Sequence, residues 1–178
     1  MRYTGILLMA AAAVWAGILA ARSLRERLEL LEVFRRMVYH LNARILQMNE
    51  TLPEALAEVG KRFTEQQRGN LCEPGMMFLE VAEGLRREPE RPFSDLWKET
   101  FGVVTRCRAL QAEDRRSLLE LGENLGYADR KMQERTLRFY LERTEESIAA
   151  LKEEITVKEK LYRSLGIAAG LSLAVILL

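Results

Sequence analysis

Histidine occurs once, at His40, so a Ser-His-Asp or Cys-His catalytic arrangement could draw on that residue alone, and a multi-histidine metal site is excluded. The two cysteines, Cys72 and Cys107, stand far apart without the close spacing of zinc or redox motifs, and read as free thiols of a reducing compartment. Neither G-x-x-x-x-G-K-S/T nor a strand-flanked G-x-G-x-x-G occurs, which removes the two familiar nucleotide loops. Excess charge of one sign is missing too. Residues 22–163 hold 26 Lys and Arg, all but Arg2 of the chain's 27, against 26 Asp and Glu. A nucleic-acid grip needs clustered cations that release counterions from phosphates, so no nucleic acid is expected. Acidic neighbours such as Glu145/Glu146 and Glu153/Glu154 do not face each other on a helix and alternate with Lys and Arg, as a solvated face does. No catalytic residue, metal ligand or cofactor is expected, and an enzyme acting at a membrane would need a concentrated polar pocket that the sequence does not display.

What is present lies first at the two ends. Residues 4–21 carry no charge over eighteen positions, near the roughly 20 residues that cross a hydrocarbon core. A cleaved signal peptide competes with this reading. Against it, Arg22, Arg25 and Arg27 follow at once, where positive charge resists export. Residues 165–178 are uncharged for fourteen positions and reach only about 21 Å at helical rise. Starting at Leu161 with Arg163 snorkelling adds about 6 Å, enough to cross with local thinning; a buried terminal helix is the alternative. Lys158, Lys160 and Arg163 mirror the first basic cluster, so the positive-inside rule makes the middle cytoplasmic and puts both termini on the opposite side. The expected division is a transmembrane helix over 4–21, a cytoplasmic helical bundle over 22–163 and a second transmembrane helix over 164–178. Ala13, Gly17 and Ala21 on the first span, and Gly166 and Gly170 on the second, have the four-residue spacing that lets backbones approach, and the spans are expected to pack there within the lipid.

The middle reads as all-α, roughly six helices with the first and last long. Leu30, Phe34, Met37, Leu41, Ile45 and Met48 form one stripe on an extension of the first span. A second helix begins at Thr51-Leu-Pro-Glu54, where Thr51 can cap, Glu54 can reach back, and Pro53 gives up only an orphan donor. A loop over 66–75 precedes a third helix with Met76, Leu79, Ala82 and Leu85 inward; Pro89 and Pro92 precede a fourth from Ser94-Asp95, with Trp97 and Phe101 in the core. The fifth covers 112–125, closed by Gly126 where a left-handed backbone is favoured. The sixth, 129–162, carries Leu137, Leu141, Thr144, Ile148, Leu151, Ile155 and Tyr162 in a rhythm that seeks the first helix as partner.

Leu52-Pro-Glu-Ala55, Trp97, Leu121-Gly-Glu-Asn-Leu-Gly126 with Asp129 and Gln133, and Lys160-Leu-Tyr-Arg-Ser-Leu-Gly166 before an apolar end follow one another in an order that resembles the stage III sporulation protein AB family over nearly the whole chain. The resemblance implies a mother-cell membrane protein facing the forespore, a platform subunit of the channel assembly between the two cells. It also implies a bundle similar to the cytoplasmic domain of the type II secretion and type IV pilus platform protein. The implied partners are the other membrane proteins of that complex and a cytoplasmic secretion-type ATPase, with homo-oligomers open; a tether without ATPase contact is the alternative. If a partner surface exists, it is expected at the membrane-distal turns, with Pro53, Glu54, Gly122, Gly126, Asp129 and Gln133 as candidates.

Overall fold

Apolar residues recurring at threes and fours wind the N-terminal stripe into a helix that ends at Leu46, and Asn49 in the turn that follows takes a left-handed φ of 61°. The computed structural model describes the backbone of residues 2–66, 73–104, 109–126 and 129–177, and their side chains except at 2–16, 18, 20, 66, 102–104, 163 and 165–177. Cys72, Cys107 and the side chains of Ala13, Gly166 and Gly170 lie outside this description. Six helices follow in order: α1 Arg2–Leu46, α2 Leu52–Gln66, α3 Pro74–Arg87, α4 Phe93–Val104, α5 Ala112–Leu125 and α6 Arg130–Leu177, with no strand among the described residues. Among the described residues no helix is long and apolar enough to cross a membrane. The backbone nonetheless runs as unbroken helix through both apolar ends.

Each helix packs on the next, and α6 returns to α1, which closes the bundle into a ring of neighbours. The α1–α6 pair sets the long axis. Gly17 meets the Tyr162 ring, Arg25 pairs with Glu159, Glu32 with Lys152 at 2.8 Å, Arg35 with Glu145 at 3.4 Å, and Ile45 with Arg130. As the number climbs on α1 it falls on α6 in step, an antiparallel register kept over the whole pair. Gly60 and Gly75 bring α2 and α3 backbone to backbone, since a Cβ on Gly60 would stand 2.8 Å from the Gly75 carbonyl oxygen.

Phe34, Met37, Val38 and Leu41 of α1 are fully covered, with Leu56, Phe78, Trp97, Leu118, Leu125 and Leu137 contributed by the other five helices. Trp97 sits between Phe78 and Phe93, ring centroids 5.6 and 5.5 Å away, in tilted contacts that favour the ring quadrupoles. The expected pairing of the two long stripes is realised by Leu30, Phe34, Met37, Leu41 and Ile45 against Leu137, Thr144, Ile148, Leu151 and Ile155.

Four expectations need correction. Met48 is 63% exposed, because α1 has already ended at Leu46 and the chain turns away. On α3 the fully buried side chains are Met77, Phe78, Val81 and Ala82, with Phe78 against Trp97; of the expected set Ala82 is among them and Leu85 packs half-buried on the core, while Met76 and Leu79 are only half-buried. On α6 Tyr140 is buried while Leu141 is only half-buried. Gly126 is right-handed, φ −72° and ψ −2°; glycine is required there instead by the approach of α4, for a Cβ would lie 2.9 Å from the Phe93 Cβ.

Candidate functional site

The turns at the far end of the long pair are built from short-range hydrogen bonds. Glu54, exposed in the first turn of α2, accepts from the Thr51 hydroxyl at 2.7 Å and from the Thr51 N–H at 3.3 Å, the return half of the expected capping box. The Thr51 hydroxyl thus donates to the carboxylate rather than capping the backbone. Those bonds hold the Glu54 carboxyl below its ordinary range. Pro53 is half-buried beside it. Across the bundle end, the Asp129 side chain accepts from the Lys131 N–H at 3.1 Å and its carbonyl from the Gln133 N–H at 3.0 Å, which starts α6. The Gln133 amide reaches back to the Leu125 carbonyl at 3.3 Å and ties the first turn of α6 to the end of α5.

Arg130 joins the two turns. Its guanidinium donates to the Ile45 and Leu46 carbonyls, at 2.9 and 2.8 Å, and to the Asn49 side chain. It therefore supplies the donors that the last carbonyls of α1 lack and adds a cation at the negative end of the helix dipole. The structure thus brings the 49–54 segment and Asp129–Gln133 to one end of the bundle, with Glu54 and Asp129 both exposed. Sequence reasoning named Asp129 and missed its neighbour; an Arg at the start of the last helix gives no local signal, because its partners lie about eighty residues earlier.

Gly122 is elsewhere in kind. It is buried, and a Cβ there would fall inside the Trp97 indole. The indole N–H donates to the Leu118 carbonyl at 2.9 Å, so the ring lies flush against α5 only because residue 122 has no side chain. Trp97 and Gly122, two of the residues that carry the family resemblance, are one packing unit of the core rather than surface.

Near the other end, Arg27 makes a two-pronged pair with Asp114, Nε to Oδ2 at 2.8 Å and Nη2 to Oδ1 at 2.9 Å. The Asp114 side chain is 2% exposed and that of Arg27 13%. Asp114 also accepts from the Gln111 N–H at 2.9 Å, so one carboxylate caps α5 and anchors it to α1. The pairing raises the Arg27 pKa further above its ordinary value. The sequence places Arg27 among the juxtamembrane positive charges; in the fold its charge is paired with Asp114 inside the protein. His40, half-buried against Phe63, is pushed below its ordinary pKa by burial and then by Arg62 and Arg44. No group of three His, Cys, Asp or Glu side chains among the described residues is placed to hold a metal ion.

A model of the family described as stage III sporulation protein AB matches residues 2–178. The stage III sporulation protein AB of Bacillus subtilis (strain 168) is 24% identical over 179 residues, across 100% of this chain and 99% of the relative. No solved structure matches the chain. With the order of its motifs, its six-helix topology and a family match that runs almost end to end, the chain belongs to the stage III sporulation protein AB family.

Proposed function

We propose that the chain is a non-enzymatic platform subunit, anchored in the mother-cell membrane facing the forespore by both ends. Its bundle projects into the cytoplasm, where the distal turns dock a secretion-type ATPase of the sporulation channel assembly. The observation that carries this reading is the unbroken antiparallel register of α1 and α6. Continued four residues past Gly17 and Tyr162, it sets Ala13 opposite Gly166, so the two apolar runs would descend side by side as one hairpin. The hairpin leaves the Arg130-tied turns as the point farthest from the lipid, where a soluble partner has free access. With Arg27 committed to Asp114, the flanking charge still favours a cytoplasmic bundle through Arg22, Arg25, Lys158, Lys160 and Arg163. Complex partners within the membrane, and copies of the chain itself, would meet the outer faces of the hairpin.

The test is to place an affinity tag between residues 66 and 73, purify the protein from sporulating membranes in mild detergent, and identify what accompanies it. A secretion-type ATPase that is lost with Glu54→Arg or Asp129→Arg supports the platform and its docking end. Glu54→Gln, which retains an acceptor for Thr51, separates lost charge from a lost cap. Membrane proteins recovered without an ATPase would favour a tether within the complex. An ATPase retained by both charge reversals would move the docking surface elsewhere.

A further inference from the structure

The face of α6 that the ring of helices leaves outward is not uniformly polar. Met132 and Phe139, two turns apart, are 45% and 61% exposed and line a groove of about 560 Å³ between α5 and α6. Its floor is Leu121 and Tyr140; Ser117, Asn124 and Thr136 supply small polar edges. Phe139 has no role in the core, because Leu137 and Tyr140 on either side of it already fill that face. Exposing two large apolar side chains on one groove wall costs solubility unless something covers them.

The charge around the groove favours one kind of cover. Five charged residues line it, three of them arginines. Arg143 is occupied by Glu120 at 3.1 Å and Glu113 at 3.7 Å, and Arg138 by Glu134 at 3.0 Å. Arg135, exposed, has no ion-pair partner among the described residues, and exposed Arg116 and Lys131 flank the lining on either helix without one. Of the two acids in the lining, Glu120 is held by Arg143 and Glu142 has no ion-pair partner among the described residues. A second copy approached by a two-fold axis along the stalk would set Arg135 against its own equivalent, an unfavourable like-charge contact. Lipid is too far away: Phe139 precedes the terminal apolar run by 26 residues of continuous helix, about 39 Å at helical rise.

We infer that the α5–α6 groove docks an amphipathic helix of a partner protein, its apolar side chains on Met132 and Phe139 and its acidic residues against Arg135 and the flanking Arg116 and Lys131. Two aligned helices already form the groove walls, so a third laid between them continues the bundle's own packing, with anchors at three- and four-residue spacing. The inference is independent of what docks on the distal turns, and it stands whether or not an ATPase binds there.

The experiment places a benzophenone photo-crosslinking amino acid at position 139 of the full-length chain in sporulating cells, with the same probe at Tyr39, exposed on α1 outside the groove, as control. Crosslinked peptides are sequenced by mass spectrometry. The expected result is a segment of another protein with apolar residues at helical spacing and Asp or Glu beside them. The yield should fall by about tenfold or more in Arg135→Glu, as for loss of a binding hot spot, and be restored when the partner's acidic residues are changed to Arg. Arg135 is exposed and has no ion-pair partner among the described residues, so its reversal is expected to leave the fold intact, checked by an unchanged circular dichroism spectrum. Crosslinks to this chain itself, to lipid, to a basic or non-helical segment, or no excess over the Tyr39 probe would overturn the inference, as would a yield that Arg135→Glu leaves unchanged.

Discussion

Replacing Arg27 by methionine would leave a carboxylate in the protein interior with little to hold it. Asp114, 2% exposed, would keep the Gln111 N–H as a donor and lose both guanidinium bonds. Breaking a buried pair by removing one member costs about 3–5 kcal/mol. The 13% exposure of Arg27 admits some water to the vacated site and places the expectation near the lower end, at about 3 kcal/mol. The converse change, Asp114→Asn, is milder: Arg27 can turn toward solvent and the amide oxygen can still cap Gln111, so about 1–2 kcal/mol is expected. In Arg27→Met with Asp114→Leu no charge remains buried and the main loss is the α5 cap, about 1 kcal/mol. The double variant should therefore be more stable than Arg27→Met alone, with a coupling of about 2 kcal/mol or more. Urea unfolding of the full-length chain in mild detergent reads this, by far-UV circular dichroism and by Trp97 fluorescence in a Trp15→Phe background. An Arg27→Met loss below about 1 kcal/mol, the range of exposed pairs, would refute the reasoning, as would a double variant whose loss equals the sum of Arg27→Met and Asp114→Leu measured singly.

Gly122→Ala should destabilise despite its better helix propensity: about 1 kcal/mol gained from propensity is outweighed by overpacking of about 1–3 kcal/mol against the indole, and a lower urea midpoint with shifted Trp97 fluorescence would register it. Arg130→Ala removes the donors from the end of α1 and should speed amide exchange at residues 46–50 while leaving α3 and α4 unchanged; uniform exchange would contradict its role as a local clamp. His40 has a folded pKa below its ordinary 6.5, so the unfolded chain takes up protons first and the stability it contributes is complete above that value and lost as pH falls through it; the drop in urea midpoint between pH 7.5 and 5.5 should shrink in His40→Gln, and an unchanged drop would exclude the assignment. Gly17→Leu should prevent the close approach at Tyr162 and lower disulfide formation between Ala13→Cys and Gly166→Cys in a background with Cys72 and Cys107 changed to serine; crosslinking as efficient as before would separate the register at Gly17 from that of the terminal runs.

Much of the architecture was legible because it is written in local periodicity. The stripes Leu30–Ile45 and Leu137–Ile155 each specify a helix and a need for a partner, and only one other long stripe was available to either. Helix starts at Leu52 and Ala112 were equally plain from Pro53, Glu54 and the polar residues before them. Periodicity does not fix which flank of a stripe turns inward, and so Tyr140 was passed over for Leu141, and Met77 and Phe78 for Met76 and Leu79. Arg27 and Arg130 escaped for another reason. Each is defined by a partner more than eighty positions away, and in the sequence each is only one more arginine among many. Glycine gave the least: Gly126 reads as a left-handed helix end and Gly122 as part of a distal partner surface, yet both are places where an aromatic side chain from α4 needs the room.

The ring of neighbours has a consequence for synthesis. Five of its six contacts join helices that leave the ribosome one after the other, whereas the sixth joins the first helix to the last. The apolar stripe of α1 must then wait for roughly a hundred further residues before its partner exists, on the order of 5–20 s at ordinary elongation rates. During that interval the nascent chain presents Phe34, Met37 and Leu41 without the α6 stripe that covers them, and chaperone capture or self-association of unfinished chains is the hazard the order of the helices creates.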